Sequence, residues 1–173
     1  REYQVKRFAE LFDVALSEDE FAYLNNEKEP ENLEYLTDGQ KIDLGGRTLE
    51  VIETPGHTHG CVCFLDVTNG YLFAGDTGCN REILVYFDHS ATVEDVKLSD
   101  EKLLARKAEY TQIWPGHHEC PMAASCLEDY RKAAEDILEN PGIGEKIPLD
   151  KGYKILYNYN TIGISYTESH IHR

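Results

Sequence analysis

Three short stretches of the 173-residue chain each place a glycine directly before a side chain able to bind a metal: Gly56-His57 in TPGHTHG, Gly75-Asp76 in FAGDT and Gly116-His117 in WPGHHE. Imidazole nitrogen and carboxylate oxygen are donors that zinc, iron and manganese accept. A carboxylate has two oxygens, so Asp76 can face two ions at once. Each stretch ends a strand-like run, and glycine lets the backbone turn sharply where a strand stops. Three strand ends that converge on one cleft would place the donors on a rigid scaffold. Two further histidines lie beside these positions. His59 reads as a loop residue lining the cleft, and His118 as a neighbour of the cleft competing with His117 for the ligand position. Cys79, close after Asp76, has no assigned role. His170 and His172 form an H-x-H at the chain end, read as a frayed terminus.

The elements that must position these residues are marked in the pattern. Asp38-Gly39 and Gly45-Gly46 bracket a short strand over Lys41–Leu44. Thr48–Glu53 is the strand that Thr54-Pro55-Gly56 ends, and Cys61–Asp66 is short and apolar, as a buried strand is. Asn69-Gly70 predicts a hairpin turn into Tyr71–Ala74. Thr92, followed by Glu94 and Asp95, predicts a helix start, with Val93, Val96, Leu103, Leu104 and Ala108 on its buried side. Gln112–Trp114 is a very short strand. Cys126, Tyr130, Ala133, Ala134, Ile137 and Leu138 mark an amphipathic helix that Asn140-Pro141-Gly142 stops, and Lys154–Tyr166 reads as closing strands. Nearer the start, Phe8 to Ala15 has helical spacing, with a short strand over Phe12–Leu16 as the alternative. Ser17–Glu20 resembles a capping box, and Asn25–Leu36 reads as loop. Strands, then helices, then strands predict an α/β sandwich rather than a doubly wound sheet.

Composition bounds the function classes. A net charge of −15 repels phosphate backbones and anionic bilayers, so neither nucleic acid nor membrane is an expected partner. No apolar run approaches the ~20 residues of a membrane span. Five cysteines without a framework-like spacing predict reduced thiols and a cytoplasmic location. No C-x-x-C pair is present, which argues against a closed zinc knuckle.

In order and spacing, TPGHTHGCVCFLD, YLFAGDT and WPGHHE, with the lead-in DGQKIDLGGRTLEVIETPGHT, resemble the metallo-β-lactamase superfamily. The likeness is sharpest from about Asp38 to Glu119. It implies part of an αββα sandwich: a single incomplete domain over residues 1–173, with a best-matched core at 38–119 and a C-terminal helix and closing strands over 120–173. It also implies that His57 is a ligand of the first metal, that Asp76 bridges both metals and that His117 is a ligand of the second. Zinc is the favoured ion, with iron or manganese as alternatives, and a metal-bridged hydroxide is the expected nucleophile. No protein side chain is thereby assigned as a catalytic residue. The implied activity is hydrolysis of a small-molecule ester, thioester, lactone or phosphoester. The family's H-x-H-x-D-H motif, which supplies two ligands to each metal, is absent, and no histidine precedes His57. The chain therefore reads as a C-terminal portion with weak or no activity alone. A non-catalytic half-domain with a relict metal cleft is the alternative. An exposed sheet edge would favour a homodimer or domain swap.

Overall fold

The computed structural model describes residues 14–16 and 33–173, with side chains from Tyr35 onward. Two short strands, β1 (Val14–Leu16) and β2 (Leu33–Tyr35), pair in parallel. The second corrects the reading of Asn25–Leu36 as loop throughout. The helical spacing before Val14 and the capping box at Ser17–Glu20 lie outside the described residues. Next come β3 (Lys41–Asp43), β4 (Thr48–Glu53), β5 (Val62–Asp66), β6 (Tyr71–Gly75) and β7 (Glu82–Val85). Helix α1 (Val93–Leu104) leads to β8 (Gln112–Pro115) and β9 (Met122–Ala123). Helix α2 (Cys126–Glu139), β10 (Glu145–Pro148), β11 (Tyr153–Tyr159), β12 (Ile162–Tyr166) and a 3-10 turn (Glu168–His170) complete the order.

Strand direction brings the glycine turns together. One six-stranded sheet has the order β3-β4-β5-β6-β8-β9. β4 is antiparallel to β5, β5 is antiparallel to β6, and β6 is parallel to β8. Strands β4, β6 and β8 therefore run the same way and end at one edge. The β6–β8 register shifts between Phe73 and Gly75, a bulge of the kind that re-aims side chains at a sheet rim. The second sheet has the order β10-β11-β12-β7, which leaves β7 as an edge strand beside the cleft. β7, β9 and β10 were not foreseen in the sequence. Each is four residues or fewer, too short for a periodic signal.

The helices serve both sheets. Thr92 caps α1 through a reciprocal box with Asp95. Ile52, Cys63, Leu65, Leu72, Ala74 and Ile113 of the larger sheet form one core with Leu103 of α1 and Leu127 of α2. Ile83, Val85, Ile155, Ile164 and Tyr166 of the smaller sheet form another, with Val93 and Val96 of α1 and Tyr130, Ala133, Ala134 and Ile137 of α2. The chain end is docked rather than frayed. Ile171 is buried in the second core, and Arg173 Nε donates to Asp95 at 2.6 Å. Among the described residues no helix is long and apolar enough to cross a membrane.

Candidate metal centre

The His57 turn is fixed from three sides. Thr54 N–H donates to Cys61 C=O at 2.8 Å, extending the β4–β5 ladder into the turn. Ser99 of α1 donates its hydroxyl to Pro55 C=O at 2.8 Å, and Ala91 N–H donates to Gly56 C=O at 3.0 Å. Glycine at position 56 is required by contact, because an added Cβ would lie 2.8 Å from Val96 Cγ2. The imidazole that follows is buried, with only 9% exposed. Its Nδ1 lies 2.8 Å from Leu84 C=O on the open edge of β7. A carbonyl only accepts, so Nδ1 carries a proton, and in the neutral ring Nε2 is then the lone-pair nitrogen, the arrangement typical of a metal-ligating histidine.

Asp76 follows Gly75, whose φ of +53° lies in the left-handed region that glycine enters freely. The parallel neighbour delivers Gly116-His117 beside it, with Gly116 N–H donating to Gly75 C=O at 2.7 Å. The thread between the turns is a pair of buried hydroxyls, Thr54 and Thr77, 2.9 Å apart. Asp76 then lies between the histidines. Its Oδ2 is 3.6 Å from His57 Nε2 and its Oδ1 is 3.2 Å from His117 Nε2. The longer contact exceeds hydrogen-bond range. Two ligands on one tetrahedral zinc, at bonds of about 2.0–2.1 Å, lie roughly 3.3 Å apart. The two separations bracket that value, and each uses a different carboxylate oxygen. In donor type and spacing the three residues fit two metal positions that share one carboxylate, as a partial ligand set. Among the described residues no group of three or more His, Cys, Asp or Glu closes around an ion.

A cavity of about 300 Å³ opens beside the three residues, lined by His57, Asp76, Cys79, Glu82, Ile83, Leu84, His117 and His118. His118 is in this wall, with a φ of +66°. His59 is exposed and lies outside it. Sequence reasoning missed Glu82 and Leu84 and left Cys79 without a role. Cys79 directs its thiol at Glu82 C=O at 3.2 Å, and Glu82 accepts from Lys154 at 3.3 Å and from Ser165. The Lys154 and Ser165 contacts join distant parts of the chain, so no local pattern announces them. Behind the turns, burial pushes the Cys63 thiol up to about 12, against the lowering effect of the Thr54 and Thr77 hydroxyls. Cys63 is therefore held in its neutral thiol form at neutral pH.

Comparison with known proteins bears on the family and the fold. Residues 3–117 match the family model of the metallo-beta-lactamase superfamily. A probable polyketide biosynthesis zinc-dependent hydrolase of Bacillus velezensis is 35% identical over 86 residues, covering 50% of this chain and 37% of that protein. A hydroxyacylglutathione hydrolase of Rhizobium etli is 32% identical over 105 residues, covering 43% of this chain and 41% of that one. An acyl-coenzyme A thioesterase of Gallus gallus is 32% identical over 84 residues, covering 47% and 30%. The matches thus span well under half the length of these curated relatives. Among solved structures, a metallo-beta-lactamase from Staphylococcus aureus superposes with a TM-score of 0.62 at 19% identity, covering 84% of this chain and 49% of that one. A metallo-beta-lactamase family protein from Thermus thermophilus does so with a TM-score of 0.57 at 22% identity, covering 74% and 54%. At such identities the likeness is one of fold. From the family match over most of its length and the shared fold, the chain belongs to the metallo-β-lactamase superfamily.

Proposed function

We propose that the chain supplies His57, Asp76 and His117 to a divalent-metal centre, zinc by preference, of a hydrolase acting on small acyl thioesters or esters. The observation that carries this is the placement of Asp76, with one oxygen toward each histidine Nε2 at 3.6 and 3.2 Å. The relatives' names favour acyl groups carried on sulphur, as in hydroxyacylglutathione and acyl-coenzyme A, and a third relative is named zinc-dependent. A net charge of −15 supports a small molecule over nucleic acid.

A divalent ion there would act as a Lewis acid on the acyl oxygen and acidify a water. The chain's own residues do the positioning. The Leu84 carbonyl holds the His57 proton on Nδ1, so Nε2 faces the centre. Asp76 joins the two histidines. Ile83 and Leu84 give the cavity an apolar side that limits water, while Lys154 and Ser165 hold the Glu82 carboxylate in its wall. The test is Zn²⁺ and Co²⁺ titration of the purified protein, its His57→Ala form and its Asp76→Asn form, with thioester, ester and phosphoester hydrolysis assayed in parallel. Binding that depends on both residues is expected, with thioesters hydrolysed in preference to esters and phosphoesters. Equal metal binding by all three proteins would overturn the assignment.

The exposure of His117, 66% at its side chain, favours a second reading. Another copy, pairing at the sheet edge as a dimer or domain swap, covers this side of the cleft. Sedimentation with and without Zn²⁺ separates the two: a mass that stays monomeric in both removes the second reading.

A further inference from the structure

Helix α1 buries Val93, Asp95, Val96, Ser99, Asp100 and Leu103, and Val93, Val96, Asp100 and Leu103 among them have the spacing of residues that face a core. Of the three polar ones, Asp95 is tied to Thr92 and Arg173 and Ser99 to Pro55 C=O, which leaves Asp100. Asp100 is 0% exposed, and among the described residues neither carboxyl oxygen has a hydrogen-bond partner. An ionised carboxylate cannot be held in such a place without compensation, so the group takes its neutral form instead. We propose that Asp100 is a protonated acid in the folded protein, and that loss of its proton as pH rises loosens α1 and with it the turn that carries His57.

The surroundings offer the anion little. The charged and titratable groups facing it are Glu101 from its own helix, Arg131 and Cys126 from α2, Cys63 from β5, and Tyr110 from the segment before β8. Burial pushes Asp100 well above the ordinary carboxylate range. Arg131 opposes that shift and Glu101 adds to it. Arg131 is itself paired with Glu135 at 2.7 Å. Burial pushes Cys63 and Cys126 up to about 12, so both are neutral thiols at neutral pH. The Tyr110 hydroxyl is committed to Leu103 C=O at 2.9 Å.

The link to the candidate metal centre is short. Ser99, adjacent to Asp100, holds Pro55 C=O, and Val96, one turn back, packs against Gly56. A charge appearing on the buried stripe is relieved by moving α1 outward, and that motion carries both contacts away from the His57 turn. The sign follows from proton binding. An unfolded Asp gives up its proton near pH 3.9, whereas the folded one keeps it to higher pH. Between those two values the folded state binds more protons, so stability falls as pH rises, by up to tenfold in the folding equilibrium constant per pH unit.

The experiment compares the wild type with Asp100→Asn, which keeps the shape without the titration, and with Asp100→Leu, which fills the stripe with an apolar side chain. Infrared spectroscopy at pH 7 should show a protonated carboxyl band in the wild type that is missing from both variants. Urea unfolding from pH 5 to 9 should show the wild type losing stability relative to each variant as pH rises. NMR of the His57 ring should shift with the same midpoint in the wild type only. Absence of the protonated band at pH 7 overturns the proposal, as do parallel stability profiles. A stability difference with unmoved His57 signals overturns the coupling to the turn. None of these readouts involves metal or substrate, so the proposal fails or stands separately from the hydrolase reading.

Discussion

His57 and His117 both face Asp76, but their surroundings differ. His57 is 9% exposed, its Nδ1 is bonded to Leu84 C=O, and its turn is held by Ser99 and Ala91. The His117 side chain is 66% exposed. It stands before His118, whose φ of +66° places it in the left-handed region that non-glycine residues seldom adopt. One histidine is oriented by folding, and the other keeps freedom that ion binding of the proposed kind would have to remove. Ordering a mobile side chain costs up to about 2 kcal/mol. An ion should therefore bind first at the His57–Asp76 side, and a second should follow more weakly at His117.

The strongest attack on this comparison removes the group common to both sides. Asp76→Asn should lower metal affinity more than about 100-fold at both positions, beyond the 10–100-fold typical of outer-shell partners. Isothermal titration with Zn²⁺ reads it directly. Separating the sides comes next. His57→Ala should weaken the first binding step. It should also destabilise the fold by about 1–3 kcal/mol, because it removes a buried ring and the donor to Leu84 C=O. His117→Ala should weaken only the second step and leave stability within about 0.5 kcal/mol, as exposed substitutions do. Equal urea midpoints for these two variants would end the distinction. Gly56→Ala carries the test into the backbone. Its new Cβ meets Val96 at 2.8 Å, and overpacking of this kind costs about 1–3 kcal/mol, visible as a lower melting temperature.

How much of this was legible in the sequence depended on distance along the chain. That His57, Asp76 and His117 would be brought together was readable because each follows a glycine at the end of an apolar run, a signal contained within a few residues. Thr48–Glu53 was read with its observed bounds, and the α2 stripe emerged from its spacing. Leu84 was invisible because its role lies in a backbone carbonyl on an unpaired edge, set by tertiary pairing of β7 with β12. Leu33–Tyr35 was read as loop because its order as a strand comes from a partner, Val14–Leu16, elsewhere in the chain. Asp100 was different, since its place between Val96 and Leu103 was in view. A polar residue in an apolar stripe is easily passed over as a gap in the pattern.

Gly116→Ala should have the smallest effect and is the most discriminating. Its added Cβ would sit 3.3 Å from Asp76 Oδ1 and from the Gly75 carbonyl carbon, close enough to displace its neighbours by a few tenths of an ångström. These approaches are longer than the 2.8 Å that position 56 would have to Val96, so the fold should absorb the shift with a stability change of less than about 1 kcal/mol. The atom pushed is the carboxylate oxygen that faces His117, whereas the oxygen that faces His57 lies on the other branch. Metal titration should therefore show the second binding step weakened several-fold and the first nearly unchanged. If both steps weaken together, Asp76 moves as a rigid unit, and the two sides of the centre are not independently built.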